Sequence, residues 1–119
     1  MKKTLILGAS SNPERYSYRA AKRLLAHGHE IELIGKRPEA VFGRTIETGK
    51  KIFEDIDTVT LYLSPRNQKE YHEYILLLKP KRVIFNPGTE NPELEELLKR
   101  NNIRVDKACT LVLLNTGDY

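Results

Sequence analysis

An apolar run that stops abruptly at a glycine constrains this chain more than any other feature of its sequence. The run from Thr4 to Leu7 is short, continuous and rich in β-favouring side chains, which is typical of a strand buried on both faces of a parallel sheet. Gly8 follows at once, and after a small polar loop a helical pattern begins near Arg15 to Ser17. This order predicts a strand, a tight turn and a helix whose positive end faces the turn.

The loop between this strand and this helix is suited to hold a phosphate group. Gly8 allows a sharp turn and leaves no β-carbon in the way of a ligand. Small side chains, hydroxyls and backbone N–H groups come from the next four residues, Ala9, Ser10, Ser11 and Asn12. Pro13 stiffens the loop, and the first helical N–H groups, near Tyr16 and Ser17, point back toward it. The alternative is that Gly8 simply ends a strand in an ordinary βα turn.

The loop lacks the glycines of an ordinary dinucleotide site. The fingerprint G-x-G-x-x-G needs three glycines, whereas Ser10 and Pro13 occupy the second and third positions here. An ordinary NAD site is therefore disfavoured.

Two basic residues follow the second predicted strand. Residues Glu30 to Ile34 alternate polar and apolar side chains as a strand does, and Lys36 and Arg37 come just after its end. In dinucleotide folds this position reads the ribose, and a base there suits a ribose phosphate. The pair thus favours a phosphorylated ribose, with a solvated basic turn as the alternative.

The remaining pattern completes a Rossmann-like α/β domain. Further helices are predicted at about Tyr16 to Ala26, Arg66 to Leu78 and Pro92 to Arg100, and further strands at Asp57 to Leu63, Arg82 to Phe85 and Ile103 to Val105, with a possible short strand near Arg44 to Ile46. Leu111 to Leu114 is left as an apolar tail. We expect one three-layer domain over residues 1–119, with a mostly parallel sheet of five or six strands. Right-handed crossovers should bring the loops at Gly8, Lys36, Ser64, Asn86 and Cys109 to one edge of the sheet.

Composition and charge exclude several classes of function. The formal net charge of +4 is compatible with a phosphorylated ligand, but no aromatic-interleaved basic patch or zinc-finger pattern indicates nucleic acid. A single cysteine excludes an internal disulfide framework, and no apolar run approaches the length needed to cross a membrane. The N-terminal residues do not form a signal-peptide pattern, so we expect a cytoplasmic protein.

No catalytic constellation is evident. His27, His29 and His72 fall outside the strand-end loops and are expected at the surface, and the acidic pair Glu95 and Glu96 is expected on a solvated helix face. Metal-ligand spacings, a Walker loop and a nucleophile elbow are all lacking. These absences predict a binding module rather than an enzyme.

Four stretches together resemble a known family. They are the loop GASSNPERYSYR, the basic pair Lys36 and Arg37, the turn NPGTEN, and the single cysteine in ACTLV. In combination they resemble the small stand-alone CoA-binding proteins, which are similar to the CoA-binding domain of the succinyl-CoA synthetase alpha subunit. Members of the family often carry Asn-Pro after the second strand, where this chain has Gly35 and Lys36.

The resemblance implies a ligand and a set of contacts. Gly8, Ala9, Ser10 and Ser17 would line the pyrophosphate and ribose, and Lys36 would meet the ribose 3′-phosphate or a neighbouring phosphate. Leu63, Ser64 and Pro65 would lie near the adenine or the pantetheine arm, with Gly88 and Cys109 beside the far end of the arm. The wider candidate site adds Ser11, Asn12, Tyr16, Arg37, Asn86, Pro87 and Thr89. Cys109 either approaches the CoA thiol or is an inert buried side chain.

The predicted function is therefore binding of CoA or an acyl-CoA without catalysis, with no nucleic acid or membrane as a partner and with the protein partner left open. The alternatives are an NADP-dependent reductase or other nucleotide-binding protein, and a Rossmann-like interaction protein.

Overall fold

A computed structural model describes residues 1–119 as seven strands flanked by helices. The strands are β1 (Thr4–Ala9), β2 (Ile31–Gly35), β3 (Ala40–Val41), β4 (Arg44–Glu47), β5 (Thr58–Leu61), β6 (Arg82–Phe85) and β7 (Arg104–Lys107). The helices are α1 (Tyr16–Ala26), α2 (Pro65–Gln68), α3 (His72–Leu78), α4 (Pro92–Arg100) and α5 (Thr110–Thr116), with a 3-10 turn at Lys69–Tyr71. No helix has the length and apolar character needed to cross a membrane.

The sheet has the order β3-β4-β2-β1-β5-β6-β7, and every pairing is parallel except that of β3 with β4. The chain builds outward from β1 in one direction through β2 and β4, and in the other through β5, β6 and β7. The switch in strand order therefore falls between β1 and β5, where open α/β sheets bind ligands. The parallel strands all end at one side of the sheet, which we call the carboxyl edge; the opposite side is the amino edge.

Two apolar layers hold the helices against the sheet. On one face, Leu5, Leu7 and Phe85 pack with Tyr74 and Leu94 from α3 and α4. The other face packs against α1 and α5 and contains Ile6, Leu33, Ile84, Leu24 and Leu114. Alternate residues of one strand thus enter opposite layers, as the pleat of a sheet buried on both sides requires. The predicted Rossmann-like three-layer architecture is confirmed.

The sheet has one strand more than the upper number predicted, because residues 40–47 form a hairpin. Ala40 pairs with Thr45 and Val41 with Arg44. The two turn residues, Phe42 and Gly43, have φ angles of 55° and 73°. Positive φ at both positions is the geometry of a tight type I′ hairpin, but its usual signal is Asn-Gly or Asp-Gly. Because Phe42 occupies the position where Asn or Asp is usual, the sequence did not indicate this hairpin turn.

The predicted apolar tail is a helix. Residues 110–116 form α5, in which Thr110 and Leu114 are buried one turn apart. Four residues is one helical turn, so this pair forms the inward face of a short amphipathic helix. The helix ends at Gly117, whose φ of 79° is the left-handed conformation typical of a helix stop.

The helix predicted from Arg66 to Leu78 is interrupted. It begins one residue earlier, at Pro65, and tightens into the 3-10 turn before α3 continues to Leu78. Tyr74, Ile75 and Leu78 recur at helical spacing, are buried, and form its packing face. The 3-10 turn follows directly after Gln68, a fully buried side chain that periodicity does not single out.

Candidate functional site

Gly8 lies at the switch in strand order and packs against the chain leaving β5. Its φ is 96°, and a β-carbon built there would stand 2.9 Å from the carbonyl carbon and oxygen of Tyr62. We expected the missing side chain to make room for a ligand. The contact is with the protein's own backbone instead, so Gly8 fixes how closely the ends of β1 and β5 approach each other.

The loop after Gly8 is held by its own polar side chains. The Asn12 N–H donates to Ser10 Oγ at 3.0 Å, and the Glu14 N–H donates to Asn12 Oδ1 at 3.0 Å. The Arg15 N–H donates to the Asn12 carbonyl at 3.0 Å. Ser10 and Asn12, predicted to supply groups to a ligand, therefore also fix the shape of the loop.

The first turn of α1 offers donors that the protein does not use. The backbone N–H groups of Tyr16, Ser17 and Tyr18 have no acceptor within the chain. Ser17 in this turn is only 4% exposed. The first turn contains no acidic residue. An anion bound here would meet free N–H groups and the positive end of an eleven-residue helix.

Unpaired cations lie beside this turn. Ala9 pairs with Gly35 across β1 and β2, and the two backbones are so close that Gly35 has no room for a β-carbon. Lys36 and Arg37 follow directly, are exposed, and make no ion pair. Arg19 is also free of ion pairs and stacks over the Tyr16 ring at 5.2 Å. Free cations therefore lie at the β2 end of the carboxyl edge.

The loops after β5, β6 and β7 complete the carboxyl edge. Ser64 and Pro65 are exposed and Leu63 is half-buried against the core. Pro87 and Gly88 are exposed, and the Gly88 N–H donates to Glu90 Oε1 at 2.9 Å. Cys109 is partly exposed and precedes the first residue of α5. The five loops predicted to share one edge all follow carboxyl ends of parallel strands.

Asn86 and Thr89, two predicted ligand contacts, are turned inward. Asn86 is 2% exposed, and its Nδ2 donates to Thr60 Oγ1 at 2.7 Å and to the Leu61 carbonyl at 2.8 Å. Its Oδ1 accepts from the Thr110 N–H at 2.8 Å. Thr89 Oγ1 donates to the Asn86 carbonyl at 2.7 Å. These side chains position the β6 loop and the start of α5.

Tyr62 is a buried group at this edge that the sequence did not reveal. Burial raises the pKa of its phenol to about 12, against the opposing effect of hydrogen bonding to Thr110 and Thr60. Cys109 lies near enough to add to the increase in this pKa. The phenol therefore remains protonated beside the only thiol of the chain.

The acidic pair and the histidines differ in part from expectation. Glu96 is solvated as predicted, whereas Glu95 is only 7% exposed because its Oε2 accepts the Asn91 N–H at 2.9 Å. His27 is exposed, but the His72 side chain is largely buried and its Nε2 has no partner. His29 is half-buried, and this burial lowers its pKa.

A depression of about 380 Å³ lies at the amino edge, away from the predicted site, lined by Met1, Lys3, Glu30, Asp55, Asp57 and Lys81. Lys3 there already donates to the Glu54 carbonyl at 2.8 Å and lies 3.5 Å from Glu30. Lys3 is thus already engaged within the protein, whereas the free N–H groups of α1 lie at the carboxyl edge.

The sheet order, the glycine turn at the switch and the free donors of α1 define a Rossmann-like α/β protein with a nucleotide-type carboxyl edge. Residues 2–115 match the family model described as a CoA binding domain. The chain belongs to this family. The description names binding and no reaction.

Solved structures agree with this fold. The chain is 55% identical to a crystal structure of an uncharacterised protein, covering 100% of this chain and 98% of the other with a TM-score of 0.98. It is 27% identical to a hypothetical protein from Pyrococcus horikoshii OT3, covering 97% and 82%, with a TM-score of 0.89. A protein from Thermus thermophilus is similar in fold at 23% identity, with a TM-score of 0.88 and coverage of 99% and 90%. None of the curated proteins matches the chain.

Proposed function

We propose that residues 1–119 form a single domain that binds CoA or an acyl-CoA in the cytoplasm and performs no catalysis of its own. The observation that carries the proposal is the unused donor set at the first turn of α1, formed by the three free N–H groups of Tyr16, Ser17 and Tyr18. Unpaired N–H groups at the end of a long helix suit a pyrophosphate. The family description supplies the class of ligand.

The strand order suggests how the ligand lies. The pyrophosphate would bind at the loop from Gly8 to Asn12 and at Ser17, and the phosphorylated ribose would lie beside Lys36 and Arg37 at the end of β2. The pantetheine arm would then cross the ends of β5 and β6 toward Cys109. From β2 to β7 there are four strand spacings, or about 19 Å, which is room for an extended molecule.

The basic turn at Lys36 and Arg37 favours CoA over a dinucleotide whose ribose carries no phosphate. A free ribose hydroxyl is normally read by an acid after the second strand, whereas this chain has two free cations there. The 3′-phosphate on the ribose of CoA, or the 2′-phosphate of NADP, would supply the negative charge that these two cations can bind. The loop with one glycine in place of three favours CoA over NADP.

Calorimetric titration with CoA, dephospho-CoA and NADP tests the proposal, preceded by native mass spectrometry of the protein purified from cells. We expect a co-purified or added CoA species to bind more tightly than NADP. Tighter binding of NADP would move the assignment to the reductase alternative, and binding of none of the three would favour the interaction protein. The Lys36→Ala, Arg37→Ala double variant is the matched control for the ribose phosphate.

A further inference from the structure

A fully buried glutamine joins two loops of the carboxyl edge. Gln68, at the end of α2, is 0% exposed. Its Nε2 donates to the Leu63 carbonyl at 2.8 Å and to the Thr89 carbonyl at 2.7 Å. Its Oε1 accepts from Asn91 Nδ2 at 3.0 Å. Both N–H donors and the oxygen of the amide are therefore engaged, and these three bonds reach the loop after β5, the loop after β6 and the start of α4.

The connection continues to the end of β7. Asn91 Oδ1 accepts from the Leu94 N–H at 3.3 Å, which caps α4. The Asn91 N–H donates to Glu95 Oε2, and Glu95 Oε1 lies 3.7 Å from Lys107 Nζ at the last residue of β7. One chain of polar contacts thus runs beneath the ends of three neighbouring strands.

Backbone hydrogen bonds do not join the loop after β5 to the loop after β6. β5 and β6 pair only as far as Leu61 and Phe85. Beyond that register, no backbone hydrogen bond joins residues 62–67 to residues 86–90. The two loops are joined there by the Gln68 amide, which binds one backbone carbonyl in each loop. Because both bonds use the same nitrogen, the separation of the Leu63 and Thr89 carbonyls is fixed by one planar group.

We propose that Gln68 is a positioning residue that sets the distance between these two loops and so determines how well the protein holds the pantetheine arm. The inference rests on the proposed function, in which the arm crosses the ends of β5 and β6. Gln68 is buried and does not itself touch the ligand. Its effect is therefore confined to the arm, while the phosphate and ribose groups bind at β1, α1 and β2.

The test compares two ligands and four proteins, namely the wild type and three variants. CoA carries the arm, whereas adenosine 3′,5′-bisphosphate carries the phosphorylated nucleoside without it. Gln68→Met keeps the length of the side chain and removes its hydrogen bonds. Tyr119→Phe is the matched control, because it removes a buried hydrogen bond of 2.6 Å to Thr4 at the amino edge. Asn91→Ser is a milder second variant that supplies a hydroxyl as N-cap acceptor in place of the amide oxygen and loses the bond to Gln68.

Calorimetry should show that Gln68→Met weakens CoA binding by about tenfold and leaves the bisphosphate within about twofold of wild type. Tyr119→Phe should leave both affinities unchanged. If Gln68→Met does not fold, Asn91→Ser carries the test with a smaller loss that is still confined to CoA, because the Gln68 amide then lacks the bond that orients its oxygen. Equal weakening of both ligands, or no change in CoA affinity, overturns the positioning role. A wild type that binds neither ligand overturns the proposed function instead, and one that binds both with equal affinity overturns the placement of the arm.

Discussion

Gly8 and Tyr62 meet at the switch in strand order, so closely that a β-carbon on Gly8 would lie 2.9 Å from the Tyr62 carbonyl. Neither residue contacts the other through a side-chain hydrogen bond. The loop before α1 and the loop after β5 both leave the sheet at this contact between the two backbones. A change at this contact should therefore affect stability and ligand binding together.

Gly8→Ala tests this relationship. The added carbon would meet backbone atoms that cannot rotate away, and the φ of 96° is unfavourable for alanine. We expect a loss of about 1 to 3 kcal/mol in the free energy of unfolding, measured with urea. CoA affinity should fall more than tenfold, which corresponds to about 1.4 kcal/mol.

Gly28→Ala is the control for Gly8→Ala. Gly28 also has a positive φ, 83°, but nothing lies within 4 Å of a β-carbon built there. It should lose stability from backbone strain alone and bind CoA as the wild type does. A folded Gly8→Ala protein with unchanged calorimetric affinity would show that this loop does not hold the ligand.

Tyr62 should make stability depend on pH in the alkaline range. Its pKa in the folded protein is about 12, against about 10 in an unfolded chain. Because the folded pKa is the higher one, the contribution is fully present below pH 10 and is lost as the pH rises toward 12. The loss should be on the order of 2 kcal/mol, measured by urea unfolding between pH 9 and pH 11.5.

Tyr62→Phe isolates this effect because phenylalanine cannot ionise. Its free energy of unfolding should fall less than that of the wild type over this range. Tyr16→Phe, at a side chain that is 63% exposed, should follow the wild type. If Tyr62→Phe and the wild type lose stability in parallel, burial of the Tyr62 phenol has no such effect.

The sequence carried most of the fold because its signals are local. Helix α1 begins and ends where predicted, and α4 begins with Asn91 as its cap and Pro92 as its first residue. The possible short strand near Arg44 to Ile46 is β4, but its hairpin partner β3 and helix α5 were missed for local reasons as well. A phenylalanine occupies the left-handed turn position, and one turn of buried side chains is too short to establish a period.

The hydrogen bonds between buried polar side chains could not be predicted from local sequence patterns. Gln68 and Asn91 lie 23 residues apart, and their hydrogen bond depends on how α2 and α4 meet at the sheet edge. No spacing in the sequence encodes that contact. Asn86 illustrates the reverse case: its place in a strand-end turn indicated a ligand contact, whereas its amide is occupied by the protein.

Cys109 should exchange with CoA disulfide. The thiol is partly exposed beside the end of the proposed arm site. Its thiolate would displace one CoA thiol, giving a mixed disulfide between Cys109 and the remaining CoA. Intact-mass analysis should show one CoA adduct that dithiothreitol removes. Absence of an adduct, or an adduct that persists in Cys109→Ser, contradicts the placement of Cys109.

Lys36 and Arg37 should give the protein its preference for the 3′-phosphate. A charge-assisted contact to that group contributes roughly 1.5 to 3 kcal/mol, so the wild type should prefer CoA over dephospho-CoA by at least about tenfold. Lys36→Ala combined with Arg37→Ala should remove most of this preference and leave dephospho-CoA binding nearly unchanged. Lys99→Ala combined with Arg100→Ala makes the same change in net charge at the far end of α4 and should preserve the preference. Equal affinities of the wild type for the two ligands would show that the pair is only a solvated turn.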